Sequence, residues 1–169
     1  MAHYLVYWKT YWQDVSSQSE ITCDWFTSKR DFFDELRRGD SLWAAIPGDA
    51  EHPEEWRLLH RLIVDHLDPV PSDSEYGACR IVGNPDLSQL FDPSTQGDFT
   101  PLLAKLEFAT GKSIEFKGRK IGQAIQSPRL LSATDADNLV KHATTLTQLD
   151  TNWAAPDLKS PTPTTGVAA

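Results

Sequence analysis

The sequence predicts an α+β domain built on a small twisted β-barrel that is flanked by short helices. Short runs rich in aromatic and β-branched residues recur along the chain, and turns containing proline or glycine separate them. A few segments have the spacing of an amphipathic helix. With 169 residues, of which 40% are hydrophobic, the chain has the size and composition of one packed domain. We predict this domain over residues 1–150 and a flexible Pro- and Thr-rich tail or linker over residues 151–169.

The first half of the chain is predicted to consist of strands around one helix. Residues 10–24 are polar and predict a loop, after which a helix begins near Lys29 and ends at Gly39. Ser28 stands three residues before Asp31, which approximates a capping box at the start of this helix. The strands are predicted over residues 3–9, 41–46, 56–67 and 76–82, the third of them long and bent.

The second half of the chain is predicted to contain more helix. Residues 111–122 predict a hairpin that turns at Gly118, and residues 124–131 are ambiguous between helix and strand. Thr134 can cap the last helix against Asp137. The helical segments are a short turn or half-helix at 87–91, a helix at 101–106 and an amphipathic helix at 133–149.

The charge of the chain is acidic overall but unevenly distributed. The formal net charge is −8, which excludes a protein that coats nucleic acid through a generally basic surface. Between residues 31 and 98 there are 15 acidic residues and 5 basic ones. Between residues 105 and 129 the balance reverses, with 6 basic residues and 2 acidic ones. We therefore expect any contact with a polyanion to be local and sensitive to salt.

Sequence patterns that identify an enzyme are missing. The chain contains no dinucleotide fingerprint, P-loop, zinc-protease motif or nucleophile elbow. We expect no catalytic residue, cofactor or metal, although His60 and His66, six residues apart on one predicted strand, would share a face on which a metal could bind. Cys23 and Cys79 are expected to be buried reduced thiols, with a disulfide as the alternative. Without a signal peptide or an apolar span, the protein is expected to be cytoplasmic.

Large aromatic residues are concentrated near the start of the chain. Trp12 lies in the predicted polar loop and Trp25 stands before the predicted helix, where neither indole has an evident core to join. Aromatic rings on loops can form a slot that stacks a planar base or encloses a methyl group. Trp43 and Trp56 are instead interpreted as core residues. The alternative for Trp12 and Trp25 is also a place in the core.

The order of these pieces is similar to a known family. A strand ends in Tyr7-Trp8-Lys9, a polar loop leads to Trp25-Phe26-Thr27-Ser28, and the following helix ends in Arg38-Gly39-Asp40 before a strand begins with Ser41-Leu42-Trp43. This arrangement resembles the PUA-like superfamily, and within it the EVE-like and YTH-like domains. The resemblance covers about residues 3–149.

The resemblance implies a non-catalytic domain that reads a modified base, such as a methylated one, in an aromatic pocket. It implies nucleic acid as the partner, modified DNA more than RNA, without a membrane. It also implies a nuclease or motor domain, fused or separate, as in a restriction or defence system. The implied pocket consists of Trp8, Lys9, Thr10, Trp25, Thr27 and Ser28, to which we add Trp12. The expected phosphate contacts are Lys29, Arg30, Lys112, Lys117, Arg119 and Lys120, with Gln123, Gln126 and Arg129 on the rim.

Two other functions fit the composition. The acidic region over residues 49–98 could meet a basic protein partner in a regulatory complex. A small barrel could instead bind a free nucleotide or hydrolyse it. Binding of a strand, of a protein or of a free nucleoside distinguishes the three hypotheses.

Overall fold

The computed structural model describes residues 1–17, 21–69, 79–114 and 120–149. Their helices and strands, in chain order, are β1 (His3–Tyr7), α1 (Tyr11–Ser17), β2 (Asp24–Thr27), α2 (Arg30–Glu35), β3 (Ser41–Pro47), β4 (Trp56–Pro69), β5 (Cys79–Gly83), β6 (Gln89–Leu90), α3 (Thr100–Lys105), α4 (Lys120–Ala124), β7 (Arg129–Leu130) and α5 (Ala133–Ala143). A short 3₁₀ turn spans Pro93–Thr95. The tail beyond residue 149 and the Gly118 turn lie outside the described residues.

The strands form one mixed sheet, so the predicted α+β class is confirmed. Within the described residues the sheet has seven strands in the order β2-β5-β4-β3-β1-β7, with β6 paired to β4. Strands β1 and β3 are parallel, and the other pairs are antiparallel. The sheet is not closed into a barrel, contrary to the prediction, because β2 and β7 stand at opposite ends of it.

Apolar side chains cover both faces of this sheet, which explains why it is a central layer rather than the wall of a barrel. On β3, Leu42 and Ala44 belong to a first core cluster, whereas Trp43 and Ala45 belong to a second. Successive strand residues point to opposite faces, so the two clusters lie on opposite sides of the sheet. The first cluster includes side chains of α2, and the second includes side chains of α3, α4 and α5. Trp43 and Trp56 are buried, which confirms their interpretation as core residues.

Strand β4 is the long bent strand that the sequence predicts. It has 14 residues and pairs with β3 along one edge and with β6 and β5 along the other. Its pairing shifts register opposite Ala44/Ala45 and again between Val64 and His66. The second irregularity changes which residues face the core, because an extra residue reverses the alternation beyond it. His60 is buried and His66 is exposed, so the expectation that they share a face is wrong.

The region between β1 and β3 differs from the predicted loop and helix. Residues 10–24 contain α1, and Trp12 lies on this helix. Trp25 lies within β2, where it pairs with Ile81 of β5. Lys29, not Ser28, stands at the N-cap of α2, and no side chain caps that end. Helix α2 ends at Glu35, earlier than predicted.

Several elements of the second half also differ from the predictions. The predicted half-helix at 87–91 contains β6, and the ambiguous residues 124–131 contain β7. Residues 112–114 are not a strand and residues 120–124 are helical, so the described parts of the predicted hairpin do not form one. Helix α5 is capped by Ser132 and Asp135 rather than by Thr134 and Asp137, and it ends at Ala143. Cys23 and Cys79 are free thiols, but Cys79 is only half-buried.

The turn between α2 and β3 joins several parts of the first face. Gly39 has a φ of +91°, a left-handed conformation that glycine adopts without steric cost. The buried Asp40 carboxylate accepts hydrogen bonds from the backbone amides of Ala2 and Arg37, both at 2.8 Å. Backbone bonds also link Asp40 and Gly39 to Val64. The Gly-Asp step therefore fixes the start of β1 and the middle of β4 beside the end of α2.

Replacing Asp40 tests this role. We expect Asp40→Ala to lower the free energy of unfolding by about 2 to 4 kcal/mol, because two hydrogen bonds to a buried carboxylate are lost. Asp40→Asn keeps one carbonyl acceptor and should lose less. Urea unfolding followed by circular dichroism measures both. An Asp40→Ala loss below about 0.5 kcal/mol would contradict the assignment.

Candidate aromatic pocket and basic cleft

Five rings meet on the first face of the sheet and are called the aromatic cluster here: Trp8, Tyr11, Trp12, Trp25 and His60. The ring centroids of Trp8 and Trp25 are 6.4 Å apart, and the planes are nearly perpendicular at 89°. Tyr11 packs edge-on against Trp8 at 5.1 Å and against Trp12 at 5.0 Å. His60 closes the other end, 5.6 Å from Trp25. The cluster thus runs from the surface at Trp12 into the core at His60.

Two hydrogen bonds fix the outer rings. The indole Nε1 of Trp8 donates to the Asp14 carboxylate at 2.8 Å, and the Thr10 hydroxyl donates to the same oxygen at 2.5 Å. The indole Nε1 of Trp12 donates to the backbone carbonyl of Pro47 at 2.8 Å. Helix α1 carries both Trp12 and Asp14, so these bonds hold that helix over the cluster.

Strand β2 places Trp25 at the centre of the cluster. The neighbouring Asp24 carboxylate accepts bonds from Arg80 Nε at 3.0 Å and Nη2 at 2.8 Å, a buried ion pair that joins β2 to β5. Only 1% of the Trp25 residue is exposed, yet its indole Nε1 has no hydrogen-bond acceptor within the described structure. A buried donor without a partner is rare in folded proteins and commonly marks a place for water or a ligand. This N–H is therefore an unusual feature of the cluster.

The titratable members of the cluster are uncharged at neutral pH. Burial lowers the pKa of His60 to about 3. Burial, with a smaller effect of the Asp92 charge, raises the pKa of Tyr11 to about 12. The neutral rings suit a neutral planar group better than an anion.

The other predicted pocket residues are spread around this cluster. Lys9 and Thr10 are exposed in the turn after β1. Thr27 is fully buried, and its hydroxyl accepts a bond from the Lys29 amide at 3.1 Å, whereas Ser28 is exposed.

Lys29 and Arg30, which are predicted to contact phosphate, are both exposed at the start of α2. Lys29 stands at the N-cap, and Arg30 pairs with Asp34 on the same helix at 3.1 Å. Arg30 also stacks over the Phe33 ring. Its charge is therefore partly satisfied within α2.

Three other predicted residues meet in a separate cleft of about 370 Å³, called the basic cleft here. Lys112, Gln123 and Arg129 line it together with Phe108, Ser113, Ile114 and Ala124. Gln126 is exposed and does not line this cleft. Lys117 and Arg119 lie outside the described residues, and Lys120 begins α4.

The basic cleft and the aromatic cluster lie on opposite faces of the sheet. Arg129 pairs with Leu5, whose side chain belongs to the second core cluster, as do Phe108 and Ile114. Trp8 and Trp25 belong to the first. The described residues of the basic segment are therefore not brought beside the aromatic pocket.

The sequence patterns did not predict the roles of four side chains that shape the cluster and the cleft: Tyr11, Asp14, Phe108 and His60. Tyr11 and Asp14 fall in the predicted polar loop, although Tyr11 and Val15 have the four-residue spacing of one helix face. Phe108, the floor of the basic cleft, lies in no sequence motif. The sequence suggests His60 for metal binding rather than for contact with Trp25.

No three His, Cys, Asp or Glu side chains of the described ranges converge to hold a metal ion.

Comparison with known proteins adds no family assignment. The chain matches no protein-family model, and a search of curated proteins finds no similar sequence. The described helices include none with the length and apolarity needed to cross a membrane. The resemblance to PUA-like domains thus stays a prediction.

The lowered pKa of His60 predicts a loss of stability in acid. Below pH 6.5 the unfolded chain binds a proton at His60 that the folded chain does not bind until about pH 3. The free energy of unfolding should fall by about 2 kcal/mol between pH 7 and pH 5 from this residue. His60→Phe keeps a ring and should remove that part of the fall. Equal slopes for both proteins in urea unfolding at several pH values would contradict the prediction.

Proposed function

We propose that this domain is a non-catalytic nucleic-acid reader that holds a modified, flipped base in the aromatic cluster, in DNA more than in RNA. The observation that carries the proposal is the buried Trp25 N–H, which has no acceptor among the described residues and is set among perpendicular aromatic rings. A base offers what this place lacks, since it combines a flat apolar face with carbonyl or ring-nitrogen acceptors at its edge. Any catalysis would reside in another domain, such as a fused or partner nuclease or motor.

The free energy gained by stacking and hydrogen bonding in the cluster is comparable to the cost of flipping the base. Flipping a base from a duplex costs a few kcal/mol, and stacking on an aromatic ring returns roughly 1–3 kcal/mol per base. A hydrogen bond from Trp25 to the base adds to this, because no acceptor in the described part of the chain has to be given up for it. Phosphate contacts from the exposed Lys9, Lys29 and Arg30 would supply the salt-dependent part.

The pocket is filled by the protein's own rings when no base is bound. Trp8 and Tyr11 are 3% and 4% exposed, so a base must displace at least one of them. Helix α1 is the element to move, because it carries Tyr11. One hydrogen bond joins it to Pro47, and one hydrogen bond and the edge-on packing of Tyr11 join it to Trp8. Trp12, at 36% exposure, stands where a neighbouring base would stack.

A panel of matched duplexes tests the proposal. Fluorescence anisotropy would compare unmodified DNA with duplexes carrying methylated cytosine, hydroxymethylated cytosine or N6-methyladenine, at two salt concentrations. We expect one modified duplex to bind selectively and more weakly at the higher salt. Binding to none of them, followed by none to matched RNA, would overturn the proposal and favour the acidic protein-interaction module.

Two matched variants separate recognition from packing. Trp8→Phe and Trp25→Phe each remove the same part of a buried ring. Trp8→Phe also breaks the bond to Asp14, so it should be the less stable variant by about 1 kcal/mol. Trp25→Phe should instead bind the selected duplex more weakly than Trp8→Phe, with a loss of about tenfold from the missing N–H.

The expected result is that Trp8→Phe is the less stable variant and that Trp25→Phe is the weaker binder. If Trp25→Phe binds as the parent chain does, the Trp25 N–H is not a donor to the base. Arg38→Ala is the control, since Arg38 is an exposed residue outside the aromatic cluster whose partner is Asp65 at 3.2 Å.

A further inference from the structure

The basic cleft on the second face has features that packing alone does not require. Arg129 lies over the Phe108 ring, with its guanidinium carbon 4.3 Å from the ring centroid. One of its nitrogens donates to the backbone carbonyl of Ala124 at 3.0 Å. The guanidinium group, which lines the cleft, is thus held over an aromatic ring by a second, polar contact. A planar cation held in this way is a platform on which a base can stack.

Phe108 holds a conformation that is unusual for its residue type. Its φ is +55°, in the left-handed region, where the described residues place no other non-glycine side chain. The buried Asp135 carboxylate holds this turn, because it accepts bonds from the amides of Glu107 at 3.0 Å and Phe108 at 2.7 Å. It also accepts from the Ser132 amide at 3.2 Å, so the same carboxylate closes the capping box of α5. The fold thus maintains a strained residue under Arg129, which is typical of binding sites.

The polar groups of the cleft complement a nucleotide. Lys112 and Arg129 are both cationic, and none of the described lining residues is acidic, although the whole chain carries a net charge of −8. Gln123 and Ser113 offer neutral donors and acceptors at the exposed rim. Ile114 and Ala124 complete an apolar wall. The volume of about 370 Å³ is within the range of ordinary small-molecule sites.

We propose that the basic cleft binds one nucleotide, with its base stacked on the Arg129 guanidinium, its base edge at the Gln123 amide and its phosphate at Lys112. The nucleotide is either a free nucleoside monophosphate or a single residue of a nucleic-acid strand. The site does not depend on the proposed reading of a modified base, because the aromatic cluster lies on the other face of the sheet.

Isothermal titration calorimetry with unmodified probes tests this site. The probes are adenosine 5′-monophosphate, adenosine, inorganic phosphate and an unmodified single-stranded hexanucleotide. If the ligand is a free nucleotide, the monophosphate should bind at least about tenfold more tightly than adenosine or phosphate alone, since both parts contribute. If the ligand is part of a strand, the hexanucleotide should bind and the monophosphate should not.

The variants then locate the binding. Arg129→Lys keeps the charge but loses the planar face, and we expect it to weaken the bound probe by at least about tenfold. Lys112→Ala and Gln123→Ala change exposed side chains, so both should fold normally and still weaken the probe. Arg38→Ala, at an exposed residue outside both the cleft and the aromatic cluster, should bind the probe as the parent chain does. Absence of binding by both the monophosphate and the hexanucleotide, or binding that Arg129→Lys and Lys112→Ala leave unchanged, would overturn the proposal.

Discussion

Strand β4 is hydrogen-bonded along both edges, and the position of the aromatic cluster depends on how its pairing shifts. At the first irregularity, Ala45 pairs with Leu58 and Ala44 pairs with His60, so Leu59 is the extra residue. Leu59 is a member of the first core cluster, and the ring of the next residue, His60, contacts Trp25 on the same face. A regular strand would alternate these neighbours between the two faces. The bulge therefore adds a large ring beneath Trp25 and completes the inner end of the cluster.

The outer end of the cluster depends on a different kind of contact. Helix α1 is short, and isolated helices of this length are not stable in water, so its position is set by tertiary contacts. The Trp12 bond to Pro47, the Asp14 bond to Trp8 and the burial of Tyr11 supply them. The inner rings sit on paired strands and the outer rings on a short helix. In the proposed function, the surface end at the short helix is therefore the side from which a base enters.

The sequence predicted the parts of the fold that local patterns determine. The long strand from Trp56 and the burial of Trp43 both follow from residue type and spacing. Helix α1 was missed because its polar residues conceal the spacing of Tyr11 and Val15. The open sheet was missed because strand patterns alone do not reveal which face a later helix covers. The second core cluster includes residues of α3, α4 and α5, which follow most of the strands in the chain.

Part of the candidate site could also be predicted from local sequence patterns, and part of it could not. The concentration of aromatic residues suggested a slot at Trp12 and Trp25, with a place in the core as the alternative, and the resemblance placed Trp8 beside them. The three indoles lie in one cluster, in which Trp8 and Trp25 are buried in the core. The part played by His60 depends on a bulge, and a bulge is visible only in the pairing of two strands. The separation of Arg129 from this cluster depends on its pairing with Leu5 in the sheet. Both are contacts between distant parts of the chain, which spacing along the sequence does not encode.

The Trp25 N–H can be observed directly by nuclear magnetic resonance. The indole Nε1–H signals of the protein would be assigned with single Trp→Phe variants and followed while the tightest-binding modified duplex is added. The account predicts that the Trp25 signal moves downfield as its proton gains an acceptor, whereas Trp43, whose indole already bonds to His3 at 3.2 Å, stays in place. Saturating binding that leaves the Trp25 signal unmoved would contradict the central claim.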